Sequence, residues 1–337
     1  MKIKDKKKLA RVIATWLVTG IMLSVFILDI ITIVLDNRYV SEIVITDETF
    51  SYEFGDDRIH FLDTANSDCI LLESNGHFAL VDSGEGNENP RRKTEYKGYR
   101  DEVIGYIKKV ASDKNGKVNL DFIVATHMHY DHAGNFTEII NQPDFKIGYA
   151  YIKSYDTASV TELEKDGWGN EQMYYDIINA LNNKSVPIIN HIPDDDFTFG
   201  DFTLKFFNTV TPEEVKGNGE NANSLGLKVI KGEKSAFLAA DFTDGTGLED
   251  IFADSIGDID LLKIGHHGYY GSSSADFLRV LKPETAICTN QIGKIYPNVK
   301  WNLTMVAKVP VFSTAHRNGI IATFTDNNEI ILTQNIM

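Results

Sequence analysis

The segment Thr126-His127-Met128-His129-Tyr130-Asp131-His132 constrains this chain more than any other feature. It packs three imidazoles and a carboxylate into six positions, directly after the apolar run Leu120-Asp121-Phe122-Ile123-Val124-Ala125. Such a run predicts a buried strand, and the strand must deliver the cluster to one place at its carboxyl end. Alternate residues of an extended backbone face the same way. His127 and His129 therefore converge on one point, and the turn that follows presents Asp131 and His132 to a neighbouring point. Imidazole and carboxylate are ligands of zinc, although other divalent metals accept them. Two such cations close together make a strong nucleophile from water at neutral pH. The alternative is a polar loop with chance histidines. With only nine histidines in 337 residues, three within six positions argue against it.

The first residues read differently. Lys2, Lys4, Lys6, Lys7, Lys8 and Arg11 precede an apolar run from Val12 to Leu35. About 20 apolar residues cross a bilayer as a helix. Asp29 is costly in hydrocarbon unless it lies near the interface, where a span over 12–28 would leave it. The expected organisation is a basic cytoplasmic flank over 1–11, a transmembrane anchor over 12–35, a linker over 36–56 and one hydrolase domain over 57–337. The positive flank predicts a cytoplasmic N-terminus and a catalytic domain outside a cell membrane. The competing reading is a cleaved export signal, whose apolar core is usually shorter, about 7–15 residues. Either one exports the domain.

The formal charge is −15, and residues 1–11 hold six positive charges against one negative, which leaves −20 for the rest. A surface of that sign repels nucleic acid in general. Cys69 and Cys288 alone make no disulfide framework; both sit in strand-like runs that predict buried free thiols, with a single bridge outside the cell as the alternative.

Successive strands are predicted at Arg58-Ile59-His60-Phe61-Leu62, over 69–72 and at Phe78-Ala79-Leu80-Val81. Helices are predicted over 100–112, from 136 and, as one long element, over 161–183. The second half repeats the style. A hairpin over 197–207 turns at Gly200-Asp201, strands follow over 225–230 and 236–240, a helix covers 275–281, and strands over 286–289, 309–313 and 320–325 close the chain. Two β-rich halves with helices predict one domain of two packed sheets.

The H-x-H-x-D-H pattern resembles the metallo-β-lactamase superfamily, and the resemblance continues in chain order. Phe78-Ala79-Leu80-Val81-Asp82-Ser83-Gly84 is similar to the motif whose Asp supports the ligands from behind. Leu238-Ala239-Ala240-Asp241 is similar to the one supplying a carboxylate that bridges both metals. Asp260-Leu261-Leu262-Lys263-Ile264-Gly265-His266-His267-Gly268 is similar to the last motif. The resemblance implies an α+β fold, a four-layer αββα sandwich preceded by one N-terminal transmembrane helix. It implies two Zn2+ held by His127, His129, Asp131, His132, Asp241 and His267, with Asp82 behind them.

β-Lactamases have a further histidine ligand between the cluster and the bridging Asp. Here the interval holds only His191, in a loop-like stretch, and the ligand region reads Asn221-Ala222-Asn223-Ser224-Leu225. That resembles the subgroup with the hydrolase domains of DNA-uptake proteins, and it counts against β-lactam hydrolysis. The stretches 72–84 and 120–135 and Tyr151-Ile152-Lys153-Ser154-Tyr155 look most like the catalytic domain of teichoic-acid phosphorylcholine esterases, a similarity that runs from about residue 58 onward. This implies a phosphodiesterase in which His267 binds metal and His266 faces the phosphate, with Asp131 and His266 as the catalytic pair. Choline-binding repeats are absent, and Gly268-Tyr269-Tyr270 stands where the esterase has another histidine.

Trp168, Tyr269 and Tyr270, with Tyr174 and Tyr175, are candidates for an aromatic wall that binds a cationic substrate group; core packing is the competing reading for each. His316 reads as an ordinary loop residue. The expected partners are a membrane, through one helix, and a small-molecule or cell-envelope phosphodiester, with nucleic acid disfavoured. The expected function is an anchored phosphodiesterase. An extracellular nuclease is the first alternative, and a non-catalytic, metal-stabilised binding protein is the second.

Overall fold

The computed structural model describes residues 3–41, 56–87, 97–211 and 219–337. The chain divides into two compact units, 1–43 and 44–337. Most of the expected linker over 36–56 lies outside the described residues.

The first unit holds a single helix, Ile3–Ser41. Its stretch Asp5–Ile31 is long and apolar enough to cross a membrane. At 1.5 Å per residue it extends about 40 Å, against about 30 Å of bilayer hydrocarbon. Apolar side chains are exposed around the helix, among them Trp16, Met22 and Phe26. A helix that is apolar all round suits lipid better than water.

The second unit is a sandwich of two sheets. Its first half contributes β1 (Asp57–Phe61), β2 (Cys69–Ser74), β3 (His77–Ser83), β4 (Val118–Ala125), β5 (Phe145–Ile152) and β6 (Ile188–Ile189). Then come β7 (Phe197–Phe199), β8 (Phe202–Phe207), β9 (Gly226–Lys231), β10 (Lys234–Leu238), β11 (Leu261–Lys263), β12 (Thr285–Cys288) and β13 (Val311–Ser313). The last two, β14 (Ile320–Phe324) and β15 (Ile330–Gln334), return to the first sheet. The sheet orders are β15-β14-β1-β2-β3-β4-β5-β6 and β13-β12-β11-β10-β9-β8-β7. Each half runs antiparallel hairpins into parallel pairs, β3 to β6 in one and β10 to β13 in the other.

Alternation along the strands builds the layers. Phe122 and Val124 of β4 face the second sheet, where they meet the cluster containing Leu204, Val229 and Leu238. Ile123 and Ala125 face the opposite way, onto helices 100–111, 136–141 and 170–183 through Ile107, Ile139 and Ile177. On the far side of the second sheet, Phe237 of β10 packs with Phe242 and Phe277 at 5.6 and 6.4 Å, and Phe252 joins Phe242 at 5.9 Å. Phe252 and Phe277 come from helices 248–256 and 275–281. The result is helices, sheet, sheet, helices. Cys69 and Cys288 are free and buried.

The expected single helix over 161–183 is two helices, Glu162–Gly167 and Asn170–Asn183. Gly169 between them takes φ +65°, a left-handed conformation that breaks a helix and suits glycine. Strands β5, β6, β11 and β15 were not among the expected strands, nor was the helix at Leu248–Ile256.

Phe122 is 1% exposed and sits among Phe199, Tyr149, Tyr151 and Phe197, with ring centroids 5.2 to 6.0 Å away. Phe122→Ala is expected to cost about 3–5 kcal/mol through lost burial and a cavity between the sheets. Urea unfolding should show a lower midpoint at an unchanged slope.

Candidate metal centre

The ends of parallel strands meet at one place. Asp82 lies at the end of β3, His127 and His129 follow β4, Asp241 follows β10, and His266 and His267 follow β11. The exits are sharp. Asp82, Ala240, His266 and His267 take φ of +56°, +43°, +47° and +50°. For residues with a side chain, such conformations cost of order 1–3 kcal/mol each, and they persist where surrounding structure enforces them. Gly265 is needed for another reason. A Cβ there would lie 2.3 Å from the Phe242 carbonyl oxygen, so only glycine lets the β11 exit approach the β10 exit.

Two groups of donors lie within 4.8 Å of one another, Asp68, His132, Asp241 and His267 in one and His127, His129 and Asp241 in the other. All are buried, and Asp241 belongs to both. His132 Nε2 lies 3.1 Å from His267 Nε2 and 3.1 Å from Asp241 Oδ1. His127 Nε2 lies 3.1 Å from His129 Nδ1 and 3.6 Å from Asp241 Oδ2.

The outer nitrogens explain what these inner ones are. His132 Nδ1 is 2.8 Å from Asp82 Oδ2, His129 Nε2 is 2.9 Å from Glu164 Oε1, and His267 Nδ1 is 3.1 Å from Thr289 Oγ1 and 3.3 Å from Asp68 Oδ1. His127 Nδ1 is 3.1 Å from Thr126 Oγ1 and 3.4 Å from Ser224 Oγ. A ring nitrogen against a carboxylate carries the hydrogen, so in a neutral ring the other nitrogen turns a lone pair inward. Lone pairs that face each other at such distances require positive charge between them. Asp241 Oδ1 is buried with no hydrogen bond in proper geometry among the described residues, although His132 stands beside it. Donor type, burial and this orphaned oxygen all fit divalent cations.

Neighbouring charges also shift how these groups ionise. Burial pushes the His132 ring down, but Asp241 and Asp82 override it and hold the ring well above its ordinary value. Burial, aided by the neighbouring His132 charge, pushes His127 down to about 3. Burial would raise the Asp241 carboxyl, yet His132, His266 and His267 keep it well below the usual range.

Asp68 lies close enough to count as a ligand, but its oxygens face the Nδ1 sides of His267 and His132, at 3.3 and 3.8 Å. It also ion-pairs with the fully buried Lys263 and accepts from Thr289 Oγ1 at 2.6 Å. It is a support behind both rings. Asp131, expected beside His132, falls outside both groups, with its Oδ2 3.8 Å from His267 Nε2. His266 is 29% exposed and stands at the lip, 3.8 Å from Asp241 Oδ2. Asn221, in the stretch 221–225, places its Nδ2 3.2 Å from His266 Nε2.

Among the aromatic candidates, Trp168 packs edge-on to His129 at 5.1 Å, and Tyr269 packs against His266 at 5.4 Å. Tyr270 is 72% exposed and pairs with Tyr296, while Tyr174 and Tyr175 form a separate group with Tyr155. His191 and His316 are exposed. Asp68, Glu164, Lys263 and Thr289 were not singled out from the sequence. Lys263 did carry a signal, since a lysine within Leu261-Leu262-Lys263-Ile264 needs a buried partner.

Asp82 accepts from Thr126 N, Thr126 Oγ1 and His132 Nδ1, each at 2.8 Å. Asp82→Asn keeps the shape but turns one acceptor into a donor. Affinity for a divalent cation is expected to fall about 10–100-fold in a chelator competition, with the far-UV dichroism unchanged. An unaltered affinity would remove Asp82 from this role.

Comparison with known proteins agrees with this picture. The family model described as "Metallo-beta-lactamase superfamily" matches residues 62–217. Recombination protein 2 of Haemophilus influenzae is 30% identical over 111 residues, which are 33% of this chain and 13% of that protein, so the match spans a small part of the relative's length. Among solved structures, the metallo-β-lactamase fold protein YhfI of Bacillus subtilis is 14% identical, with 76% of this chain and 96% of that one covered and a TM-score of 0.47. CmlA, a diiron β-hydroxylase of Streptomyces venezuelae, is 13% identical, with 77% and 53% covered and a TM-score of 0.41. Over 62–217 the sequence thus matches the metallo-β-lactamase superfamily, and the two packed sheets flanked by helices are the metallo-β-lactamase fold.

Proposed function

We propose that the chain is a membrane-anchored, outward-facing phosphodiesterase with two zinc ions, acting on cell-envelope phosphodiesters such as phosphorylcholine esters. The observation that carries this reading is the pair of buried donor groups that share Asp241. His127, His129 and Asp241 would hold one cation. His132, Asp241 and His267 would hold the other, with Asp131 beside them. When bound, such a pair supplies Lewis acidity and activates water at neutral pH. Only three protein ligands at the first position would leave room there for water.

The remaining roles belong to the lip. His266 is partly exposed and is pushed down by burial, so its ring is neutral at pH 7. With Asn221 beside it, it offers hydrogen bonds to a phosphoryl oxygen on which charge develops. Trp168 and Tyr269 border the centre and would receive the substrate's organic part. The apolar helix and its basic flank support anchoring with the domain outside.

The similarity to Recombination protein 2 favours a nuclease as the second reading. The charge of −20 beyond residue 11 opposes it, since DNA binding draws on cationic surface. One panel decides between them: p-nitrophenyl phosphocholine, bis-p-nitrophenyl phosphate, a phosphomonoester, and single- and double-stranded DNA. Turnover of the phosphocholine reporter is expected, with loss on chelation and recovery on adding zinc. Asp131→Ala and His132→Ala should each lower kcat/KM by about 10³-fold or more, about 4 kcal/mol of transition-state stabilisation. Unchanged turnover in both variants would sink the assignment, and cleavage of DNA alone would move it to the nuclease.

A further inference from the structure

We infer that Glu164 is a positioning residue whose contact with His129 sets the affinity of the His127–His129–Asp241 position for a divalent cation. This rests on the two-metal reading above. Glu164 lies in the short helix Glu162–Gly167, away from every motif in the cluster region, and its side chain is 5% exposed. Its two oxygens do different work. Oε2 accepts from Thr161 N at 2.7 Å and Thr161 Oγ1 at 2.6 Å and closes the helix cap. Oε1 accepts from Glu220 N at 2.9 Å and lies 2.9 Å from His129 Nε2. A cap needs only the first oxygen. The second is left for the histidine and the Glu220 amide.

His129 is the ring for which such a contact matters most. In this cluster it alone points Nδ1 inward, while His127, His132 and His267 present Nε2. A half-turn of the ring about Cβ–Cγ would replace Nδ1 by a carbon and leave the position with two protein ligands. The Glu164 carboxylate opposes that turn by holding Nε2–H. Trp168, one helical turn after Glu164 and bonded to its carbonyl through its own N–H, packs at 64° against the same ring. The histidine loop is also gripped from the Glu220 side, where Glu220 Oε2 accepts from Met128 N at 2.8 Å. Ring and backbone are thus fixed by residues that lie outside the histidine motif.

Zinc titration of the detergent-solubilised full chain against a chromophoric chelator tests this, with visible spectra of the cobalt-loaded protein. Wild type should bind two equivalents. Glu164→Ala should weaken one of them about 10–100-fold, leave the other within about threefold and change the cobalt absorption. Glu164→Gln keeps an acceptor for Nε2–H and should recover most of the loss. Thr161→Ala weakens the same helix cap but leaves Oε1 on His129, so it should bind as wild type does. The inference is overturned if Glu164→Ala keeps both affinities, or if Thr161→Ala weakens binding as much. A wild type that binds no zinc overturns both this inference and the two-metal reading, which separates it from those outcomes.

Discussion

The Nε2 atoms of His132 and His267 stand 3.1 Å apart, buried, each with its other nitrogen against a carboxylate or hydroxyl. Two lone pairs do not approach in that way without positive charge between them. The same holds for His127 Nε2 and His129 Nδ1, again at 3.1 Å, and Asp241 reaches toward both pairs. Four rings and one carboxylate are arranged around charge, and much of the second unit serves to hold them there. The cost is visible in the backbone. Positive φ values at Asp82, Ala240, His266 and His267 are concentrated where parallel strands end. Strain of that kind survives only when neighbours over-determine it. Here the neighbours are two sheets locked by an aromatic and aliphatic core.

Supports of three kinds keep the rings in place. Asp82 bonds the backbone and side chain of Thr126 as well as His132, so one carboxylate ties the β3 exit to the β4 exit. Lys263 pairs with Asp68 and donates to the Ala240 carbonyl at 2.9 Å, which ties the start of β2 to the residue before Asp241. Glu164 and Glu220 grip the histidine loop from outside. Breaking any one of these leaves a buried charge without its partner, and that is expensive in a low-dielectric interior.

Much of the centre was legible because its ligands are local. His127 to His132 fall in one heptapeptide, and the stretches ending at Asp82, Asp241 and His267 each pair an apolar strand with a polar exit. Their spacing along the chain follows from the repeated hairpin-then-parallel plan of the two halves. The supports were harder to see. Asp68 precedes β2, and nothing within several residues of it marks a partner more than sixty positions away. Glu164 reads as a capping residue, which it is, and its second oxygen has no sequence signature. The break at Gly169 was passed over because apolar spacing on either side suits a single helix. Strand β5 was missed since Lys146 and Gly148 interrupt its apolar run, although its neighbour β4 supplies the pairing. Strands of two or three residues, such as β6 and β11, are held by their sheets more than by their own composition.

Charge balance ties these observations together. Around the histidines stand the carboxylates of Asp68, Asp82, Asp131, Asp241, Glu164 and Glu220, all buried. One buried lysine pairs with them directly and a second lies beside them. Lys263 meets Asp68, and Lys153 donates to Asn223 O at 2.9 Å and lines a small cavity with His127 and Glu220. The acids outnumber the lysines beside them, and cations at the centre would offset that excess. Burial pushes Asp82 and Glu220 toward protonation, and the neighbouring Asp68 and Glu164 charges add to it. That is the response expected of carboxyls taken out of water. Cations at the centre would reverse it, so metal binding and ionisation of the supporting carboxylates are linked.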